Sequence, residues 1–346
     1  MLLITMMFSA CLDVEVSTIL NPDGSLDRVM TVNSDAELND YSELPFPVDS
    51  TWEIVYTKDT VDSGKIHHYT FKKHYKNAGE IAMEYKDKDH SFSKFDHQIV
   101  VTKKFRWFYT YLTCEEKFDK MAKGDYKPFD MYLSDIEKSV RNIDNPDSIA
   151  MILNVDSAEA SNFKKDLDKK FEKWLDDNLM EEIILTIEKD MKVNNITNIT
   201  EKDLKANRDT IYKLVDSLGM GKGFSEFYGA MNKLFHTNEF DKIIRSNKSE
   251  LTAYEEQIGY LVGLAGFKYN LQMPGLLIDT NAETIKGSQL DWEFVPFEAY
   301  FVGTTFHAES RIINVWAFVV SGIFLVAVVV LLFIPAIKRR KSLAVQ

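Results

Sequence analysis

Val315 to Ile334 is a run of 20 residues without a charge, and it constrains this chain more than any other feature. A helix of about 20 apolar residues spans a hydrocarbon core of about 30 Å. The alternative is the buried core helix of a soluble fold, where uncharged stretches of this length are rare. The flanks fit a span. Trp316 and Phe318 suit one interface, and Lys338, Arg339, Arg340 and Lys341 suit the cytoplasmic one, where Lys and Arg accumulate. The sequence therefore predicts a transmembrane helix over 312–337, a cytoplasmic basic tail over 338–346, and the long N-terminal portion on the other side. Ser321 and Gly322 are small residues that permit packing against this helix.

That orientation requires an export signal upstream. Met1 to Phe8 is apolar, and Ser9-Ala10 supplies small residues before Cys11. "FSAC" resembles the lipobox of bacterial lipoproteins, written L-[AS]-[GA]-C. The resemblance implies removal of residues 1–10 and acylation, palmitate included, at Cys11. Two departures stand out: Phe8 replaces the usual Leu, and the first ten residues hold no Lys or Arg. The other readings of Cys11 are a buried thiol or a disulfide to Cys114, the second of the 2 cysteines. Two cysteines make neither a disulfide scaffold nor a Cys-based zinc site.

The net charge is -12, from 53 acidic against 41 basic residues. Because the tail is basic, the portion outside it is more acidic still. Such a surface excludes nucleic acid as a partner, since binding phosphates needs clustered Lys and Arg. With 45% hydrophobic residues the chain has ample material for a packed core.

Asp13 to Val32 reads as a hairpin, with Asn21-Pro22-Asp23-Gly24 as its turn. Thr51–Thr57 and His67–His74 read as strands, Ala78–Tyr85 as a short helix, and Gln98–Leu112 as one long strand rich in β-branched and aromatic residues. From about Asp119 the period turns helical. Phe163, Leu167, Phe171, Trp174, Leu175, Leu179, Ile183 and Ile187 form one apolar stripe. Thr200 and Asp203 fit a capped start for a helix carrying Leu204, Ile211, Leu214, Val215 and Leu218. Strand character returns at Phe267–Met273, Leu276–Ile278 and Gln289–Val295, the last read as the final strand. The aromatics that follow, Phe297, Tyr300, Phe301 and Phe306, fit either the headgroup level or the bottom of the core.

"CLDVEVSTILNPDGSLDRVMTV", "YNLQMPGLLIDTNAETIKGSQLDWEFVP" and a C-terminal span with a basic tail are together similar to the LppM-like envelope lipoproteins. The likeness lies in Cys-then-strand, N-P-D-G, M-P-G, T-N-A and a final W-x-F, at the two ends of the ectodomain. "KKFRWFYTYLTCEEKF" looks like a stretch found in Bacteroidetes-type lipoproteins. The resemblance implies a β-rich extracytoplasmic domain, with lipid or glycolipid binding in some members, and carries over no catalytic residue and no cofactor.

Catalytic motifs are not found. "GMGKG" at Gly219–Gly223 lacks Walker spacing and reads as a helix stop and start. His67 and His68 fall on opposite faces of a strand, which counts against a shared metal site with His74. No H-E-x-x-H or G-x-S-x-G occurs. The acids beside Cys114 disfavour a thiolate.

The expected fold is α+β: an antiparallel β framework over 11–118 and 267–311, interrupted by a helical insertion over 119–266, plus one C-terminal transmembrane helix. The expected function is a non-catalytic membrane-anchored envelope lipoprotein binding a lipid, a glycolipid or an envelope protein partner. A hydrolase acting on envelope polymers is the alternative, favoured by convergent carboxylates in a cleft, whereas an apolar cavity under Phe105–Tyr111 favours lipid binding. The expected location is the bacterial cytoplasmic (inner) membrane, with a periplasmic ectodomain and a cytoplasmic C-terminus. Both anchors, Cys11 and Val315–Ile334, are expected on one side of the domain.

Overall fold

The computed structural model describes residues 13–38, 41, 44, 46–61, 64–86, 97–143, 145–218, 223–263 and 267–343. Cys11, the expected signal segment 1–10 and most of Gly219–Gly223 lie outside the described residues.

The first part runs β1 (Asp13–Leu20), β2 (Leu26–Ser34), β3 (Glu53–Val61), β4 (Gly64–Tyr75), α1 (Ala78–Glu84), β5 (His97–Phe105) and β6 (Tyr109–Phe118). The helical part holds α2 (Asp135–Val140), α3 (Pro146–Leu153), α4 (Ser157–Val193), α5 (Glu201–Ala206), α6 (Arg208–Leu218), α7 (Phe224–Leu234), α8 (Asp241–Ser246) and α9 (Glu250–Gly263). The chain then makes β7 (Phe267–Gln272), β8 (Leu276–Thr280), β9 (Thr284–Lys286), β10 (Gln289–Glu293), α10 (Pro296–Val302), β11 (Thr304–Ile313) and α11 (Val315–Leu343). The α+β class, the helical insertion and the C-terminal apolar helix are all present.

The strands form two sheets, ordered β3-β4-β2-β1-β7-β10-β9 and β5-β6-β11-β8. Local sequence explains the first hairpin. Val14, Val16, Thr18 and Leu20 alternate inward on β1, and Leu26, Arg28, Met30, Val32 and Ser34 on β2. Gly24 closes the turn at φ 100°, where its amide donates to the Asn21 carbonyl at 3.0 Å. Among the described residues every pairing is antiparallel except β1 with β7. A parallel neighbour needs a long crossover, and the helical insertion lies within the connection that delivers β7 beside β1.

Three expectations need correction. Gln98–Leu112 is not one strand but the hairpin β5–β6, reversed at Arg106-Trp107-Phe108 by the Arg106 amide bonded to the Tyr109 carbonyl at 2.8 Å. β10 is not the last strand, because β11 follows and pairs with β6 along its full length. Consequently Tyr300, Phe301 and Phe306 are core residues. Phe306 stacks on Tyr269, and Phe301 packs against Trp174 and Tyr126.

The third correction concerns the two ends of the domain. β11 runs directly into α11, so Ile313, Tyr109, Phe105 and Leu276 mark a near end, where that helix leaves. Phe118, His97 and Thr304 mark the far end, about 30 Å away for a 10-residue strand. β1 points toward the near end: its turn residue Pro22 accepts from Lys103 Nζ at 2.9 Å. Its start pairs Val14 with Phe267, whose ring meets Phe294 and, through it, Phe118. Asp13 therefore opens β1 at the far end, although the first hairpin and Trp292 do share a sheet. The parallel β1–β7 pair is the reason. Cys11 itself lies outside the described residues, and the described chain begins at Asp13.

The helical part fastens at the far end. Met121 and Ala122 amides donate to the Tyr300 carbonyl, and Phe129, Phe171, Trp174 and Phe301 form one aromatic cluster between α4 and α10. α4, 37 residues and about 55 Å long, carries the predicted stripe. It also buries two carboxylates. Glu182 accepts from the Lys123 and Gly124 amides and Tyr126 Oη, and Asp190 from Tyr228 Oη, Ser249 Oγ and the Glu250 amide. The Thr200–Asp203 capping box is present, but the helix it opens stops at Ala206 and restarts at Arg208.

Candidate functional site

Two places concentrate chemistry: the seat of the β5–β6 hairpin on α11, and a cleft at the far end.

The seat is organised by Asn314, the residue between β11 and α11. Its amide Nδ2 donates to the Arg106 carbonyl at 2.8 Å and the Trp107 carbonyl at 3.3 Å; its Oδ1 accepts from Thr110 Oγ1 at 2.9 Å; its backbone amide donates to the Phe108 carbonyl. One side chain thus holds a turn that has no Gly, Pro or Asn of its own. The hairpin tip then packs along the helix. Phe105 stacks on Trp316, Trp107 meets Trp316 edge-on, and Phe108 and Tyr109 contact Phe318. Trp107 Nε1 donates to Ser321 Oγ at 2.9 Å. Ser321 lies about 9 Å along the helix from Val315. The small residue singled out in the sequence is the landing place of this indole. Phe105 stays 56% exposed, Trp107 48% and Phe108 39%, although they lie against the most apolar element of the chain. Val315–Ile334 has a mean hydropathy of 3.1 and faces outward almost throughout, and it is long and apolar enough to cross a membrane.

The cleft lies between α4 and the ends of β10 and α10. It comprises adjoining hollows of about 400 and 570 Å³ that share Arg141, Asn142, Glu293 and Val295. Arg141 bridges Asp130 and Glu298, which holds its guanidinium charged, and its plane lies over Phe129. Glu298 also accepts from the Phe129 amide. Glu283 stands at the mouth. Partial withdrawal of its carboxyl from water raises its pKa, against a lowering bond from Asn142. The walls carry more carboxylates than cations, a surface suited to cationic or hydroxyl-rich groups.

Between the sheets lies a third polar feature with no opening to solvent. Arg28, on the inward face of β2, pairs with Glu116 at 2.8 Å and donates to Thr18 Oγ1. Glu116 also meets His97 Nε2 at 2.7 Å and Tyr269 Oη. Burial alone would raise the Glu116 pKa, but the Arg28 charge and the His97 bond hold it well below the usual carboxylate range. This cluster ties the sheets together. Leu112, Cys114, Tyr269 and Phe306 are buried around it.

The residues weighed from sequence fall elsewhere. Cys114 is buried on β6, and burial, then Glu116, pushes its thiol up to about 12. His67 bonds Tyr56 Oη, His68 meets Asn33 and Asp59, and His74 meets Asp27, so the three rings have separate partners. Among the described residues no group of three His, Cys, Asp or Glu side chains is placed to hold a metal. The short motifs are structural pins. Gly275 turns at φ 81° where a Cβ would lie 2.4 Å from the Arg311 carbonyl, and Asn281 receives Trp292 Nε1 and the His307 amide. Asn314, Arg28 and Arg141 were not read from sequence. Arg28 alone left a trace, as a charge on the apolar face of an alternating strand.

No family model matches the chain, no curated protein matches it, and no solved structure matches it.

Proposed function

We propose that the chain is a non-catalytic membrane protein that holds its domain in a fixed orientation on a bilayer and binds a protein partner through the far-end cleft. The observation that carries this reading is the hairpin seat. Three exposed aromatic rings and a turn clamped by Asn314 lie against the first turns of an apolar helix, a costly surface in water and a favourable one at a bilayer interface. The charged lining of the cleft, with Arg141, Glu283, Glu293 and Glu298, supports a protein partner as its occupant. The cleft then stands about 30 Å above the surface.

The location in this reading is the bacterial cytoplasmic membrane, with Lys338–Lys341 in the cytoplasm and the domain outside. A cysteine at Met151, which is exposed, should react with an impermeant maleimide on spheroplasts, and one at Ser342 only after permeabilisation; the reverse pattern would overturn the orientation. Acylation of Cys11 remains part of the proposal, but not as a second anchor beside α11, since β1 starts at the far end. Intact mass should show loss of residues 1–10 and gain of acyl chains; a retained Met1 with a free thiol removes it. For the partner, a photo-crosslinking residue at Asn142 should give one discrete adduct in cells that a like residue at exposed Val55 does not. Identical patterns at both sites would contradict the cleft as the binding surface.

The carboxylates gathered in the cleft, Glu283, Glu293 and Glu298 among them, favour a second reading, acid–base hydrolysis there. Turnover of an envelope polymer by the full-length protein, abolished by Glu283→Gln, would establish it.

A further inference from the structure

The acidic chain gathers basic residues where it is nearest α11. Strand register sets Lys104, Tyr111 and Arg311 side by side on β5, β6 and β11, so Lys104 and Arg311 flank Tyr111 on one face, about 10 Å apart. Arg106 follows in the hairpin turn, and Arg311 lies over the Tyr109 ring at 4.9 Å. Among the described residues no carboxylate lies within ion-pair distance of Lys104, Arg106 or Arg311. Elsewhere the same chain matches its lysines with acids, as in Lys173–Asp177 and Lys205–Glu201. Directly beyond Arg106, Trp107 roofs a groove of about 500 Å³ on α11, lined by Val320, Phe324, Leu325 and Val328. A cationic row therefore stands above an apolar groove, at the level where headgroups would meet acyl chains.

We infer that this collar is a site for an anionic phospholipid of the leaflet facing the domain, with its phosphate held by Lys104, Arg106 and Arg311 and one acyl chain in the groove beneath Trp107. The inference rests on the reading of α11 as a membrane span. Charge complementarity selects the headgroup, because three unpaired cations held against a surface concentrate anionic lipid there. Continuity with the helix selects a lipid over a soluble phosphate compound, since the groove is apolar and opens along the span. Tyr111 and Tyr109 contribute the flat wall on which the Arg311 guanidinium rests.

The test uses the full chain in nanodiscs containing spin-labelled phosphatidylglycerol or spin-labelled phosphatidylcholine, with electron paramagnetic resonance reading the motionally restricted fraction. The basic tail would attract anionic lipid in the opposite leaflet, so the measurement is made with K338Q, R339Q, R340Q and K341Q in place. The expected result is a several-fold preference for phosphatidylglycerol, reduced to near parity by K104Q/R106Q/R311Q and by high salt. These three side chains are at the surface, and near-ultraviolet circular dichroism checks that the variant keeps its fold. Equal restriction of both lipids, or a preference that survives the triple substitution, overturns the inference while leaving the span intact. Extraction of the chain from membranes by alkaline carbonate overturns the span and the collar together.

Discussion

The two ends of this domain are built from the same residue types used in opposite ways. At the far end Phe129, Trp174, Tyr300 and Phe301 lie inside, Met131 and Tyr132 stay exposed, and carboxylates and cations line the surface cleft. At the near end Phe105, Trp107 and Phe108 lie outside, and polar groups such as Asn314 are turned inward to hold the backbone. A far end of that kind is what water demands. The near end differs, and in the proposed reading a lipid neighbour accounts for both its exposed rings and its unpaired cations. The difference teaches that the solvent of each surface can be read from which side chains a fold leaves outside.

The largest expected effect comes from cutting the body that joins the ends. Arg28→Met leaves Glu116 buried without its counter-charge and should cost about 3–5 kcal/mol, whereas Arg28→Met with Glu116→Leu should regain most of that loss. Denaturation of the detergent-solubilised chain measures both. If the ends are parts of one cooperative unit, their probes should move together. Acid acts on the same joint. Because the folded pKa of Glu116 is lowered, its contribution is complete above the unfolded carboxylate pKa near about 4 and is lost as pH falls through the folded value. The chain should therefore weaken below about pH 4, and Glu116→Gln should flatten that dependence.

A smaller loss, about 3 kcal/mol, is expected from Glu182→Ala, which leaves the amides of Lys123 and Gly124 and the Tyr126 hydroxyl without their acceptor. Hydrogen exchange should quicken at residues 123–126 and stay unchanged at 105–110. Asn314→Ala is the mirror experiment and should cost about 1–2 kcal/mol. Exchange should quicken at the hairpin tip alone. Spread of either effect to the opposite end would break the comparison. The smallest effect belongs to Met151→Asp, on an 84% exposed far-end side chain, within about 0.5 kcal/mol; Phe108→Asp at the near end should instead loosen the domain from α11.

Much of this was legible. Twenty uncharged residues marked α11, alternation marked β1 and β2, and a three-and-four stripe marked α4, because each pattern is local. The β5–β6 turn was not legible. The side chain that clamps it is Asn314, two hundred residues later, and its own sequence reads as continuous strand. β11 was hidden similarly, since its Thr, His, Glu, Ser and Arg look like a linker until the β6 register explains them. The start of β1 at the end away from α11 follows from one parallel pairing that no periodicity encodes. Of the candidate sites, the aromatic residues of the hairpin were visible, but their position on the helix was not. The cleft joins side chains from α2, α4, β10 and α10, and only tertiary structure brings Arg141 to Glu298.

The most direct test of the account is the immersion of the hairpin tip. A spin label at Phe108 in the full chain, reconstituted in bilayers, should collide with oxygen far more often than with a water-soluble nickel complex, as interfacial sites do. A label at Met151 should show the aqueous ratio. Buried Cys114, its thiol pushed up to about 12, should stay unlabelled in both. An aqueous ratio at Phe108 equal to that at Met151 would contradict the seat on the membrane.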